Sequence, residues 1–183
     1  MNKSIRALIT AAAAITLFCG AATAQTVKVG AEVQLNKDQR NAVRMEVTKP
    51  VGPVNLSLEL KSTLAKDGFS GKSELVGGVK YNSPIVFWGV TPFVKGELGL
   101  TTSAKNRSFV GLEVGGAGDL EGPYSWEAAY RVRDPVGGKN ESRYRATVFY
   151  DVDDSTKVGG SLLVWDAKNV TTTGVGVDLI KKF

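Results

Sequence analysis

Apolar and polar residues alternate along almost the whole chain after residue 25, which is the period of a β-strand and not of a helix. In one clear example, apolar Val54, Leu56, Leu58 and Leu60 are separated by single polar residues. No segment beyond residue 25 shows the i, i+3, i+4, i+7 spacing of an amphipathic helix. The pattern therefore predicts an all-β protein.

Clusters of Gly, Pro, Asn and Asp interrupt the alternation and divide the chain into ten predicted strands. These strands cover residues 26–35, 42–49, 54–63, 73–81, 88–101, 107–117, 124–133, 142–152, 156–165 and 171–183. Pro92 falls inside the fifth strand, and because proline has no N–H to donate, we expect a bulge there or a strand that begins just after it. Merging the two strands within residues 73–101 would give eight strands instead.

Short turns and an even number of amphipathic strands predict a single closed antiparallel up-and-down β-barrel. One face of the strands carries full charges of both signs, and the other is rich in Val and Leu. Aromatic residues lie near the predicted strand ends: Tyr81, Trp88, Tyr124, Trp126, Tyr144, Tyr150 and Phe183. Because aromatic rings favour membrane–water interfaces, we predict that the apolar face meets lipid. The alternative is a soluble exported barrel that binds an apolar ligand inside.

The first 24 residues have the pattern of a secretory signal peptide. Lys3 and Arg6 precede an apolar run that ends at Phe18, and Ala22-Thr23-Ala24 forms a small-x-small cleavage site. We therefore predict a signal peptide over residues 1–24 and a barrel domain over residues 25–183. Acylation of Cys19 in a lipoprotein signal is the alternative, but bulky Phe18 stands where such signals have a small residue.

The last strand ends on an aromatic residue, with apolar Val175, Val177 and Leu179 at alternate positions before Phe183. An exported chain that closes in this way resembles the outer-membrane β-barrel proteins of Gram-negative bacteria. The resemblance implies a cell outer-membrane location, lipid around the barrel, and recognition of these four residues by the barrel-assembly machinery during insertion. Lys181 departs from the family pattern, which has an apolar residue there.

Pro50, Pro53, Pro84 and Pro123 mark alternate junctions, which the resemblance places on the periplasmic side together with both ends of the barrel.

The composition excludes several kinds of chemistry. The chain has no histidine, so Ser-His-Asp and Cys-His nucleophile systems are absent. Its one cysteine lies in the predicted leader, which leaves no thiolate or imidazole ligand for zinc. The formal net charge is only +5, and no Lys/Arg run outside the leader suggests nucleic acid. We expect no catalytic activity, cofactor or metal, and the sequence does not set the oligomeric state.

Four arginines on the seventh and eighth strands form the candidate site: Arg131, Arg133, Arg143 and Arg145. In a simple hairpin, Arg133 would lie near Arg143 and Arg131 near Arg145, and like charges placed opposite each other need compensation. One interpretation is a salt-bridge network inside the barrel with Glu113, Glu127 and Asp151. The other is a cationic patch near the extracellular mouth that binds an anion or lipopolysaccharide phosphate.

The predicted function is that of an integral outer-membrane barrel of structural or narrow-pore, porin-like type, with a charged lumen filled by side chains. A surface adhesin or receptor is a further alternative, but such proteins recognise partners through long loops, and the loops predicted here are short.

Overall fold

The computed structural model describes residues 25–35, 41–65, 68–102, 107–137, 140–167 and 170–183, and the predicted leader lies outside them. Within these ranges all regular structure is β-strand. The strands are β1 (Thr26–Gln34), β2 (Asn41–Val51), β3 (Val54–Ala65), β4 (Gly68–Asn82), β5 (Thr91–Thr102), β6 (Arg107–Asp119), β7 (Tyr124–Pro135), β8 (Glu141–Asp153), β9 (Thr156–Ala167) and β10 (Val170–Lys182).

Each strand pairs antiparallel with its neighbours in sequence, and β1 pairs with β10 to close the barrel. Closure satisfies backbone N–H and C=O groups without leaving a sheet edge, which is the condition for crossing lipid with strands. The closing ladder extends to the last residue, because Phe183 N–H donates to Gln25 O at 2.9 Å. The predicted closed ten-stranded up-and-down barrel is confirmed.

The two ends of the barrel differ in their connections. The terminus-side rim carries both ends of the barrel domain and the turns β2–β3, β4–β5, β6–β7 and β8–β9; the far rim carries the other connections. Pro53, Pro84 and Pro123 lie in turns of the terminus-side rim, while Pro50 lies in β2 close to it. Assignment of this rim to the periplasm remains a prediction.

The apolar face of the strands points outward. Exposed Val and Leu side chains cover the outside of the barrel: Val29, Val33, Leu56, Leu75, Val79, Val94, Leu98, Leu100, Val110, Leu112, Val114, Val148, Val158, Leu162, Val175, Val177 and Leu179. Tyr124 and Tyr150, also exposed, pair near the terminus-side rim with ring centroids 5.4 Å apart. The interior carries charged side chains, so the alternative of a soluble barrel with an apolar interior is wrong.

Pro92 neither forms a bulge nor precedes the strand, contrary to both expectations. It is the second residue of β5, and the ladders to β4 and β6 are regular around it. Its carbonyl accepts the Ser83 N–H at 2.8 Å, so the proline nitrogen faces the same side, just beyond the end of β4. Because β4 has already ended at this point, the absence of an N–H at Pro92 leaves no residue of β4 without a hydrogen bond.

The predicted start of the fifth strand at residue 88 is also wrong, because the chain turns there. Trp88 and Gly89 have positive φ angles of 49° and 78°, and Phe87 and Val90 exchange backbone hydrogen bonds of 2.9 and 2.8 Å. Positive φ at both central residues is the geometry of a tight type I′ hairpin turn. The apolar residues before Thr91 thus form a small hairpin on the terminus-side rim.

Candidate functional site in the barrel lumen

Aromatic rings lie flat against glycines inside the barrel. Phe93 is directly opposite Gly115, Phe109 opposite Gly99, and Phe149 opposite Gly159 on adjacent strands. A Cβ atom at any of these glycines would meet the ring of its partner. The glycines therefore make room for large side chains in a narrow lumen, as expected for glycines in a small barrel.

Asp178 on β10 is the most deeply buried charge, with 1% of its surface exposed. Its Oδ1 accepts a 2.6 Å hydrogen bond from Arg44 Nη2, and its Oδ2 accepts one from Arg145 Nη2. Lys28 Nζ lies 3.6 Å from Oδ2. One carboxylate thus joins strands β1, β2, β8 and β10, and its two oxygens satisfy cations from both sides. Such sharing is needed where burial makes an unpaired charge costly.

Glu97 on β5 is likewise a carboxylate shared between several cations, on a different part of the inner surface of the barrel. It accepts hydrogen bonds from Arg133 Nε at 3.2 Å and Arg133 Nη2 at 3.1 Å, and it lies 3.5 Å from Lys95 Nζ. Arg133 also donates to Glu74 at 3.0 Å. Glu32 on β1 accepts from Lys61 at 2.8 Å. Opposite charges are thus paired across the lumen, which cross-links strands that are far apart in the chain.

The structure places all four predicted arginines in the lumen, each at most 8% exposed, but in a different register. Arg131 is directly opposite Arg143, while Arg133 is opposite Glu141 and Arg145 is opposite Ala129. The predicted pairs Arg133–Arg143 and Arg131–Arg145 are therefore wrong. The connection begins after Pro135, so the two strands are offset from the assumed hairpin.

Most of the acids that were predicted to pair with the four arginines pair with other residues in the structure. Only Glu113 approaches one of them, with its Oε2 3.8 Å from Arg143 Nη2. Glu127 instead accepts from Lys80 at 2.9 Å, and Asp151 pairs with Lys157 at 2.9 Å. The acids that do pair with the arginines at shorter distances are Glu32, Glu74, Glu97 and Asp178. Alternation placed Glu32 and Glu97 on the charged face of their strands, but sequence spacing gave no sign of which strands face each other across the barrel.

A cavity of about 800 Å³ occupies part of the lumen and reaches the terminus-side rim. Thr26, Asn82 and Asp119 line it at the rim, and Arg44, Arg131, Arg143 and Arg145 line it in the interior. We call this space the vestibule. Phe109 and Trp165, which lie near the far ends of β6 and β9, do not line it. The vestibule therefore extends from the terminus-side rim into the interior without contacting these two rings.

The four residues of the predicted assembly signal lie on the closing strand and at its end. Val175, Val177 and Leu179 point outward from β10 and are 40%, 61% and 48% exposed. Phe183 is 75% exposed, and its backbone pairs with Gln25. These side chains form an accessible apolar face of the terminal strand. Their recognition by the assembly machinery stays a prediction.

The described part of the chain lacks both a membrane-spanning helix and a preformed metal site. None of the described residues forms a helix long and apolar enough to cross a bilayer. Among the same residues, no group of three or more His, Cys, Asp or Glu is arranged to hold a metal ion.

No protein-family model matches the chain, and no curated protein sequence matches it. Similar solved structures include porins and other outer-membrane proteins. KdgM porin, solved in complex with disordered oligogalacturonate, has a TM-score of 0.55 and 10% identity, with 86% of this chain and 99% of that chain covered.

Two larger proteins also match. The anion-selective porin from Comamonas acidovorans has a TM-score of 0.44 and 15% identity, with 78% of this chain covered. OmpTdeltaL8, a loop-deletion mutant of an outer-membrane protein of Vibrio cholerae, has a TM-score of 0.44 and 12% identity, with 89% covered. This chain spans 49% and 60% of their respective lengths. The likeness to KdgM shows that the chain has the fold of outer-membrane β-barrel proteins.

Proposed function

We propose that the protein is an integral outer-membrane barrel of structural or narrow-pore, porin-like type, exported with a cleaved leader over residues 1–24. The apolar exterior and the closed ladder fit lipid on all sides. The observation that carries the proposal is the ion-paired lumen, in which Asp178, Glu97 and Glu32 each bind several cations. In a partly dry interior, opposite charges attract more strongly than in water, so these pairs hold side chains across the barrel and narrow it.

A non-catalytic role belongs to the same proposal. The chain has no histidine, and the buried carboxylates of Glu32, Glu97 and Asp178 are engaged with Lys or Arg side chains. A surface adhesin or receptor would bind partners through the far-rim loops. Residues 36–40, 66–67, 103–106, 138–139 and 168–169 of those loops lie outside the described residues, so that alternative stays a prediction.

Cell fractionation combined with heat-modifiable gel mobility tests the proposal. We expect the protein in the outer-membrane fraction, migrating faster when unheated because the barrel stays closed in detergent. The matched control is a variant with Leu98→Asp and Leu162→Asp on the exposed outer face, where charge opposes lipid insertion but not the lumen network. Recovery of the unaltered protein as a soluble periplasmic species would contradict the membrane assignment.

A further inference from the structure

Two arginines of like charge lie side by side in the interior lining of the vestibule. Arg131 on β7 is directly opposite Arg143 on β8, and both line the vestibule. They are 6% and 5% exposed. Directly opposite residues on antiparallel strands have Cβ atoms about 4.5–5.5 Å apart, so the two guanidinium groups repel each other unless an anion lies near them.

The hydrogen-bonding capacity of this pair is largely unused. Among the described residues, the one ion pair of Arg131 is with Glu97 Oε2 at 3.6 Å, and its side chain makes no hydrogen bond. Arg143 lies 3.5 Å from Glu32 and 3.8 Å from Glu113, and its Nε is buried without a partner. Each guanidinium carries five N–H donors, so the contacts present leave most of them free.

Two of the carboxylates near the pair bind other cations at shorter distances. Glu97 binds Arg133 at 3.1 Å and Lys95 at 3.5 Å. Glu32 binds Lys61 at 2.8 Å. Glu113 lies directly opposite Arg131 and approaches Arg143 to 3.8 Å. Among the described residues, the ion pairs of Arg131 and Arg143 are therefore all 3.5 Å or longer, and both arginines line the vestibule.

We propose that Arg131 and Arg143 form a binding site for a small water-soluble anion that carries a phosphate, sulfate or carboxylate group and enters through the terminus-side rim. The planar guanidinium fork binds such oxyanions with two parallel hydrogen bonds, and the anion removes the repulsion within the pair. The vestibule connects the pair to Thr26, Asn82 and Asp119 at the rim. The closed strand ladder separates the site from the surrounding lipid, so the anion comes from water and not from a lipid headgroup.

The anion site goes beyond the proposed function, because the arginine pair binds an anion whether or not the barrel conducts. Absence of anion binding would leave the membrane assignment and the narrow lumen as they are. Detection of the protein in the periplasm would remove the membrane assignment and leave the arginine pair in place.

Calorimetric titration of inorganic phosphate into the refolded barrel in a zwitterionic detergent tests the site. We expect binding that weakens at least about tenfold in Arg131→Gln, because one of two charge-assisted contacts is lost. The matched control is Lys157→Gln, which removes the same charge from the vestibule lining near the rim, where Lys157 pairs with Asp151. We expect less than about a twofold change there. No phosphate binding to the unaltered barrel, or equal weakening in both variants, would overturn the proposal.

A second measurement keeps the test independent of refolding yield. The one cysteine of the chain, Cys19, lies in the leader, so Ala129→Cys places a unique thiol in the vestibule lining of the mature barrel. We expect inorganic phosphate to slow modification of this thiol by a negatively charged methanethiosulfonate reagent at least about threefold, and to have no such effect when Arg131→Gln is added. Equal rates with and without phosphate in both backgrounds would contradict the site.

Discussion

Inside the lumen, glycines and aromatic rings occur in pairs, with the glycine on one strand and the ring directly opposite on the next strand. Phe109 covers Gly99, and the Arg133 guanidinium in turn lies 4.3 Å above the Phe109 ring. A shift of the Phe109 ring would therefore also displace the Arg133 guanidinium that packs on it. Gly99, Gly115 and Gly159 are therefore packing positions, because their missing side chains leave the space that the rings occupy.

Substitution of Gly99 by Ala tests this pairing. The added Cβ would meet the Phe109 ring, so we expect a loss of about 1–3 kcal/mol in the free energy of unfolding from overpacking. Gly96→Ala on the same strand is the control, because a Cβ there has open space and we expect little change. Urea unfolding followed by tryptophan fluorescence measures both. Equal stability of the two variants would show that the Phe109 ring moves away freely.

The buried carboxylate of Asp178 supports a second residue-scale prediction. Asp178→Asn leaves Arg44 and Arg145 without their shared counter-charge, so we expect a loss of about 3–5 kcal/mol, the range for breaking a buried pair. Asp151→Asn removes a half-exposed partner of Lys157 and should cost at most about 1 kcal/mol. Unfolding midpoints in urea distinguish them; a smaller effect at residue 178 than at residue 151 would be incompatible with Asp178 as a centre of the network.

At the scale of elements, the period-two pattern located all ten strands, because one face of each meets apolar surroundings and the other meets charge. It failed at Trp88, whose positive φ belongs to a turn that the residue type does not suggest. It also failed at the arginine register, since alternation fixes the face of a side chain and not the offset between two strands. The pairing of Arg44 on β2 with Asp178 on β10 depends on closure, which no local pattern contains.

The closing seam between β1 and β10 supports a prediction for the terminal element. Deletion of Phe183 removes its backbone pair with Gln25 and the exposed terminal ring, so we expect a lower yield of folded barrel in the outer membrane. Phe183→Tyr retains both the ladder and an aromatic ring and should preserve the yield. The unheated fast-migrating band, quantified in membrane fractions, measures folding. Normal amounts of that band after deletion would make Phe183 an ordinary strand residue.

At the scale of the whole molecule, the barrel combines an apolar exterior with a charged interior that contains the vestibule. Ten strands enclose little more space than eight, which is about the width that side chains alone can fill. Charged side chains from nearly every strand point into this interior, and Phe109 and Trp165 lie near the far ends of β6 and β9. The same side chains that cross-link the wall thus also oppose the passage of solutes.

The last prediction concerns the passage of solutes through the lumen. In planar bilayers we expect small or no conductance from the unaltered protein, because ion-paired side chains and aromatic rings narrow the lumen. Removing two of those rings with Phe109→Ala and Trp165→Ala should raise single-channel conductance at least about threefold, since the freed volume widens the lumen near the far ends of β6 and β9. The control is Val110→Ala with Leu162→Ala, which shortens exposed side chains on the outer wall and leaves the lumen unchanged. Large, stable channels from the unaltered barrel would show that the lumen is open and would favour a true porin. An unchanged, silent double variant would place the barrier in the ion-pair network itself, where Arg44, Arg145 and Asp178 cross the barrel.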